Sequence, residues 1–552
     1  MKPKMIFIFP LLVSILALLI LYHTSSPYLT PSQVRKNHAF AKIGELLLYS
    51  TFVLCFSSLV LLEYYFITDE FSITYVYLNS QRTLPLIYKI SAVWAGMEGS
   101  LLLWTTFILA ISSIYISTGN KNEAKLKSAA ILAILSIYIL LINFLYSNPF
   151  VCFQYKPNDG LGLNPLLRTP EMIFHPPTIF LGYALTMVPY ASYLAGYSPA
   201  KSWIKFAWTS LSIGIILGCW WAYKTLGWGG FWGWDPVENA SLLPWLSLTA
   251  YFHSKNDIER EFFAYLSFIL VLFATFITRS GLTHSVHEFG VDTFGWFYLL
   301  FIIITSFSFY KLYRKLKQGG ANNKANNIRT PQMLMCACLI VIFIGTASSI
   351  FMSTSRLYYL LTFTPIYLVI VLYILHWIRK RKFRRISSLI LHIGIIILFI
   401  GSTGVWFLER EYQVHLNPEC TIDNKKIKLL EIRTDEDLEK HSITAIIKVN
   451  EIGIVKPKLY VYKTKRSDNV ISSVELVSNP LYDYYFAIRS INLDKNALDL
   501  DFYIVPLISF VWLSFIILIF SVFLSFLSIN PRSSYPQRKI REIFRLNRNF
   551  HR

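Results

Sequence analysis

The residues of this chain best suited to chemistry are indoles and imidazoles, and they are grouped. The segment Trp228-Gly-Gly-Phe-Trp-Gly-Trp-Asp-Pro-Val-Glu-Asn239 lies in a stretch, Trp220 to Trp245, that holds six of the fourteen tryptophans. An interfacial aromatic belt scatters tryptophan over many helix ends, whereas this cluster occupies one loop. Gly227, Gly229, Gly230 and Gly233 let the backbone lie flat, which predicts exposed indole faces on Trp228, Trp232 and Trp234. Such a surface suits a broad, planar, apolar ligand such as a porphyrin. Asp235, Pro236 and Glu238 fall at the N-cap, N1 and N3 positions of the following helix. Asp235 and Glu238 therefore read first as structural caps of the loop, ahead of any role as acids or ligands.

Position singles out four of the eleven histidines. His175 stands just before a helix expected to begin at Pro176 and Pro177, and His287 lies in a loop on the tryptophan side. Two imidazoles flanking an aromatic shelf can hold the iron of a porphyrin; His284 is the near neighbour that can stand in for His287. His253 lies about 27 Å along the helix from Asp235, and His392 about 10 Å along another from Arg385. Two imidazoles on different helices at comparable depth permit a bis-histidine haem b. His376, beside Trp377 and Arg379, reads as interfacial. His23, His38, His415, His441 and His551 lack comparable surroundings.

The elements that must position these residues are membrane spans. Of 552 residues only 15% are charged and 54% are hydrophobic, where a soluble chain is roughly a quarter charged; a soluble globular enzyme is excluded. Apolar blocks long enough to cross a bilayer lie near 5–22, 43–62, 92–117, 128–148, 177–197, 206–222, 238–254, 262–279, 293–311, 332–352, 357–378, 386–407 and 503–527. The first has Lys2 and Lys4 before it but no clear small-residue cleavage site, and reads as a helix. The net charge of +20 sits in short gaps between blocks, the pattern of a polytopic membrane protein and not of a nucleic-acid binder. Alternate gaps carry the charge: Arg35 and Lys36, Lys125 and Lys127, Lys201 and Lys205, Lys255 and Arg260, Arg314 and Lys315, then Arg379 to Arg385. The positive-inside bias puts the N-terminus outside and the C-terminus inside.

The expected fold is thus an all-α polytopic membrane protein of about 13 transmembrane helices, with one exception. Residues 408–502 are rich in acids and alternate in strand fashion at Ile443 to Val449, Lys458 to Tyr462 and Tyr484 to Ile488. They form a small external β-rich domain. The organisation is a transmembrane domain over 1–407 with its tryptophan-rich loop at 220–239, the β-rich domain, a final helix over 503–530, and a basic inner tail over 531–552. The six cysteines form no Cys-x-x-Cys pair and read as small apolar fillers.

The loop, continued as Ala240-Ser-Leu-Leu-Pro-Trp245, resembles the tryptophan-rich signature of the haem-handling proteins of cytochrome c maturation, and the whole chain resembles their CcmF-type haem lyase subunits. The likeness extends through Asp69 to Tyr75, Trp94-Ala-Gly-Met-Glu-Gly-Ser-Leu-Leu-Leu-Trp104, Gly162-Leu-Asn-Pro, Ile173-Phe-His-Pro-Pro177, Thr278-Arg-Ser-Gly and Ser285-Val-His287. The resemblance implies a lyase in the cell membrane that receives haem, as transferred substrate, from a membrane-anchored haem chaperone. It would attach that haem through thioethers to Cys-x-x-Cys-His of apocytochrome c, in a complex with thiol-reducing and apocytochrome-handling subunits. It also implies that His175 and His287 meet the transferred haem, that His253 and His392 are the axial ligands of a haem b, and that quinol is a possible reductant. A haem exporter of the same superfamily, a specialised lyase for a multihaem cytochrome, and a mitochondrial inner-membrane setting stay open as alternatives.

Overall fold

The computed structural model describes residues 5–24, 31–119, 122–283, 285, 295–318, 330–352, 355–380, 385–466, 470–494 and 496–527. His284, His287, the linker 321–327 and the tail 531–552 lie outside the described residues. The helices are α1 (Met5–Thr24), α2 (Pro31–Ile67), α3 (Thr74–Asn79), α4 (Leu86–Ala92), α5 (Met97–Ser117), α6 (Glu123–Leu145), α7 (Glu171–Leu194) and α8 (Lys201–Thr225). They continue with α9 (Pro236–His253), α10 (Asp257–Arg279), α11 (Gly295–Gln318), α12 (Thr330–Ser348), α13 (Arg356–Arg379), α14 (Ile386–Leu408) and α15 (Ile508–Leu527). Each apolar block predicted above falls mainly on one of them. Among the described residues eleven helices are long and apolar enough to cross a membrane, where the backbone must satisfy itself within each segment. The chain is a polytopic membrane protein.

The two expected spans that fall short of that apolarity are α7 and α9, and both carry site residues. Each contains proline inside the helix: Pro176, Pro177 and Pro189 in α7, Pro244 in α9. A proline withdraws the N–H that would bond four residues back. The carbonyl freed in this way by Pro176 is that of Met172, and it accepts the indole N–H of Trp94 at 2.8 Å. The prolines therefore do not start α7, as their order suggests; the helix begins at Glu171 and His175 stands inside it.

Two boundaries differ from the apolar pattern. The block 92–117 is broken between α4 and α5, because Tyr75 plugs a turn there: its hydroxyl donates to Val93 O (3.0 Å) and accepts from Gly96 N (2.9 Å). The last helix starts at Ile508, not at 503, since Tyr503 to Pro506 still belong to a strand.

The β-rich region comprises β1 (Arg410–Leu416), β2 (Glu419–Ile422), β3 (Lys425–Glu436), β4 (Lys440–Val449), β5 (Gly453–Val455), β6 (Lys458–Tyr462), β7 (Val470–Ser473), β8 (Glu475–Ser478), β9 (Tyr482–Asn492) and β10 (Ala497–Pro506). One antiparallel sheet has the order β1-β10-β9-β8; the other runs β2-β3-β4-β6-β7, with β5 also on β4. Alternate residues of both sheets, among them Val414, Ile427, Ile447, Phe486, Leu500 and Phe502, close a shared apolar core. β1 follows directly on α14 and β10 leads directly into α15, and the two strands pair from Arg410↔Ile504 onward. Gly394, Gly401 and Gly404 let α14 and α15 touch at close range. The domain consequently stands on a two-helix stalk.

It is also docked sideways. Tyr223 at the end of α8 donates to the buried Asp483 of β9 at 2.8 Å. Arg168 is buried, with its guanidinium 4.5 Å over the ring of Tyr462 and 3.6 Å from Glu439. Burial lowers the pKa of Arg168 and raises that of Glu439, each opposed by the other's charge. Thr464 and Lys465 reach the carbonyl of Leu161.

Candidate functional site

The tryptophan loop runs from Leu226 to Asp235 at the end of the bundle that carries the β-domain. Its glycines are used for close approach. Gly227 and Gly229 have φ of +76° and +74°, and a Cβ on Gly229 would lie 2.6 Å from Glu409 Oε1 and 2.8 Å from the Tyr503 ring. A Cβ on Gly233 would lie 2.3 Å from the Trp228 ring. The helix that follows opens as its sequence indicates. Asp235 accepts from Val237 N (2.8 Å), while Glu238 Oε2 accepts from Asp235 N (3.2 Å) and Gly233 N (3.0 Å).

The expectation of exposed indoles fails for two of the three. Trp232 and Trp234 are only 9% and 5% exposed. Trp234 stacks on Tyr359 of α13 with centroids 4.8 Å apart and planes 7° off parallel, and it also meets Phe363 and Trp406. Trp232 stands edge-on to Trp234 at 6.2 Å. The glycines that permit a flat loop equally permit the loop to be pressed into the bundle, and aromatic burial decides between the two. Trp234 holds φ at +59°, a conformation that costs a bulky residue about 1–3 kcal/mol; Asn239 secures it by donating to Trp234 O at 2.8 Å. The indole N–H groups of Trp232, Trp234 and Trp406 are buried without a hydrogen-bond acceptor. Trp228 is half-buried and donates to Gly230 O at 2.7 Å.

Glu409, where α14 hands over to β1, closes this cluster. Its carboxylate is 3.6 Å from Arg356, yet burial prevails over that charge and pushes its pKa up to about 7. Oε1, the oxygen nearest Gly229, is buried without a hydrogen bond.

His175 faces α8. Its Nδ1 lies 2.7 Å from Gly214 O, and a Cβ on Gly218 would come 2.8 Å from its Cε1. A carbonyl only accepts, so Nδ1 carries the hydrogen and the lone pair is on Nε2. Gly218 lies about two helical turns from the start of the loop. Ser285, two residues before His287 in the sequence, is brought to the loop itself and donates to Asp235 Oδ1 at 2.7 Å.

His253 and His392 meet at the opposite end, across the gap between α9 and α14. Their ring centroids are 6.2 Å apart and their planes cross at 79°. Each ring is oriented by its own helix: His253 Nδ1 is 2.8 Å from Thr249 O, and His392 Nδ1 is 2.6 Å from Ser388 O. Both lone pairs are thereby set on Nε2. An iron about 2 Å from each ligating nitrogen separates two imidazole centroids by about 6 Å. The pair fits a bis-histidine haem in spacing, in tautomer and in lying on different helices.

The family described as Cytochrome C assembly protein matches residues 94–284, which include the tryptophan loop, His175 and His253. The probable cytochrome c-type biogenesis protein NrfE of Escherichia coli (strain K12) is 30% identical over 486 residues, covering 80% of this chain and 87% of that protein. The chain belongs to the CcmF/NrfE family of cytochrome c-type biogenesis proteins. CcmF of Haemophilus influenzae is 37% identical over 315 residues, 52% of this chain, and CcmF of Pseudomonas aeruginosa is 41% identical over 266 residues, 44% of this chain. These matches cover about half the length of those two relatives or less, 48% and 40%. A solved structure titled Cytochrome c Heme Lyase CcmF shares the fold, with a TM-score of 0.76 at 18% identity over 95% of this chain and 98% of that one.

Tyr359, Trp406, Glu409 and the glycine pair Gly214/Gly218 complete these sites and were not singled out from sequence. The four-residue spacing of the glycines is a readable sign of close helix contact. Nothing local marks Tyr359 or Trp406, which lie far along the chain from the loop.

Proposed function

We propose that this chain is a haem lyase of cytochrome c maturation, acting as a subunit of a complex. It takes haem from a membrane-anchored chaperone and attaches it to Cys-x-x-Cys-His of apocytochrome c. The observation that carries this reading is the His253/His392 pair at one end of a bundle whose other end holds the tryptophan loop beneath a β-domain. A haem exporter of the superfamily requires neither the pair nor the domain, so their joint presence favours the lyase.

On this reading thirteen helices span the cell membrane, with the N-terminus outside, the C-terminus inside and the β-domain on the outer face. His175, through its Nε2 lone pair, and His287 ligate the incoming iron, Trp228 offers its half-buried indole to the porphyrin, and Trp232 and Trp234 hold the loop in shape. The bond-making belongs to the substrates. A thiol sulfur bonds to one carbon of a haem vinyl, the thiol proton goes to the other, and the C=C bond becomes single with no net gain or loss of electrons. The protein's contribution is orientation. His253 and His392 would hold a haem b, which would supply one-electron redox chemistry at the inner end.

The test is complementation of cells lacking their own lyase, scored as covalent haem on a reporter cytochrome c. A tag inserted at Leu438, which is 83% exposed on the β-domain, is expected to be reached only from outside. Failure to form covalent cytochrome with all maturation partners present, or a tag reached only from the cytoplasm, overturns the reading.

A further inference from the structure

Lys205 is an unusual lysine for a membrane helix. It lies on α8, half-buried, and reaches across to the last turn of α15, where Nζ donates to Ser525 O at 3.1 Å and sits 5.5 Å from the Phe526 ring. Arg385, at the N-cap of α14, and Lys201 are within electrostatic range of it. Among the described residues none of these three cations has a carboxylate within ion-pairing distance. Cations are ordinary at this end of the bundle, but one that reaches between two helices, as Lys205 does, is a candidate functional contact.

Lys205 lies level with His253, and Arg385 about two turns beyond His392 toward the same end of the bundle. Trp208 donates its indole N–H to Thr249 Oγ1 at 2.8 Å, which fixes the register of α8 against α9. From that bond Lys205 is about one turn toward the helix end on α8, and His253 about one turn the same way on α9. Arg385 is about 10 Å from His392 along α14. Where the start of α14 meets the last turn of α15 is an open cleft of about 420 Å³, lined by Arg385, Ile386, Ser387, Leu524 and Leu527 and mostly apolar.

A haem carries both of its carboxylates on one edge of an apolar plate. We propose that Lys205 and Arg385 bind the two propionates of a haem whose iron lies between His253 and His392, with the porphyrin edge in the cleft. The ammonium acts as a point charge, and the guanidinium offers a planar fork to the second carboxylate. The assignment rests on the bis-histidine reading given above.

The experiment uses full-length protein made in haem-deprived cells, purified into nanodiscs and titrated with haem or with haem dimethyl ester, whose propionates are uncharged. The wild-type protein is expected to bind haem about tenfold or more tightly than the diester. The K205Q/R385Q variant should bind both equally, with the same low-spin spectrum, and K205R/R385K should recover part of the preference. Four results overturn the proposal. One is a variant that keeps the full preference; another is a variant that loses haem and diester in equal proportion, which marks a packing role. A third is a preference that vanishes without anionic lipid, which assigns the cations to headgroup phosphates. The fourth is a wild-type protein that binds neither ligand in low-spin form, which removes the histidine ligation and this assignment with it.

Discussion

The two ends of this bundle solve opposite problems with the same residue types. At the β-domain end, indoles are packed on one another and on α13, with Trp234 within 7° of parallel to Tyr359. At the other end two imidazoles stand 6.2 Å apart, each turned by a carbonyl of its own helix. The first arrangement is held by many aromatic contacts contributed by remote segments, and in the second each ring is oriented by a hydrogen bond to its own helix. One end is therefore expected to respond to mutation through stability, and the other through ligation.

The largest effect expected is at the histidine pair. His253→Ala or His392→Ala should weaken retention of an acid-acetone-extractable haem b by on the order of 100-fold or more, read from the optical spectrum. His175→Ala should leave that haem in place. A low-spin spectrum preserved in both His253 and His392 variants breaks the contrast between the ends.

Next is Trp234→Ala, which removes a buried indole from its stack on Tyr359. It should cost about 3–5 kcal/mol, seen as a lower unfolding temperature in detergent with haem b still bound. Loss of the internal haem together with the loop would show that the two ends are not separable. Gly218→Ala is a smaller change, about 1–3 kcal/mol, because the new methyl would lie 2.8 Å from His175 Cε1 and must turn the ring. Covalent cytochrome c should fall while haem b content is unchanged; normal maturation would remove His175 from the site.

The smallest effect is a pH dependence at Glu409. Its folded pKa is raised from 4.5 to about 7, so its contribution to stability is complete below pH 4.5 and is lost as pH rises through about 7. Allowing for solvent screening, about 1–2 kcal/mol of local stability should disappear over that window. Hydrogen exchange of the Gly229 to Trp234 amides, corrected for intrinsic rate, measures it, and Glu409→Gln should flatten the profile. An equally steep profile in that variant assigns the titration elsewhere.

Much of this architecture is legible in the sequence because bilayer crossing leaves a strong local signature. Apolar blocks, charged gaps and the strand alternation at Ile443 to Val449 are properties of neighbouring residues. So is the Asp235/Glu238 cap. The burial of Trp232 and Trp234 is not, since it is decided by Tyr359 and Trp406, which only tertiary packing brings near. The start of α7 departs from its local signal for a related reason: a proline inside a helix is tolerated when a distant group, here the Trp94 indole, takes the orphaned carbonyl. His253 and His392 were recognisable as intramembrane imidazoles, whereas their 6.2 Å separation depends on how α9 and α14 pass each other.

The stalk beneath the β-domain has a mechanical consequence. α14 is a rod about 35 Å long, welded at one end to the first strand of the domain and carrying His392 near the other. His253 rides on α9, which begins in the tryptophan loop and meets the domain only through non-covalent packing of that loop on Tyr503. A partner that tilts the domain therefore pulls more directly on one imidazole of the pair than on its mate, so that a load applied at one face is delivered as a change of gap at the other.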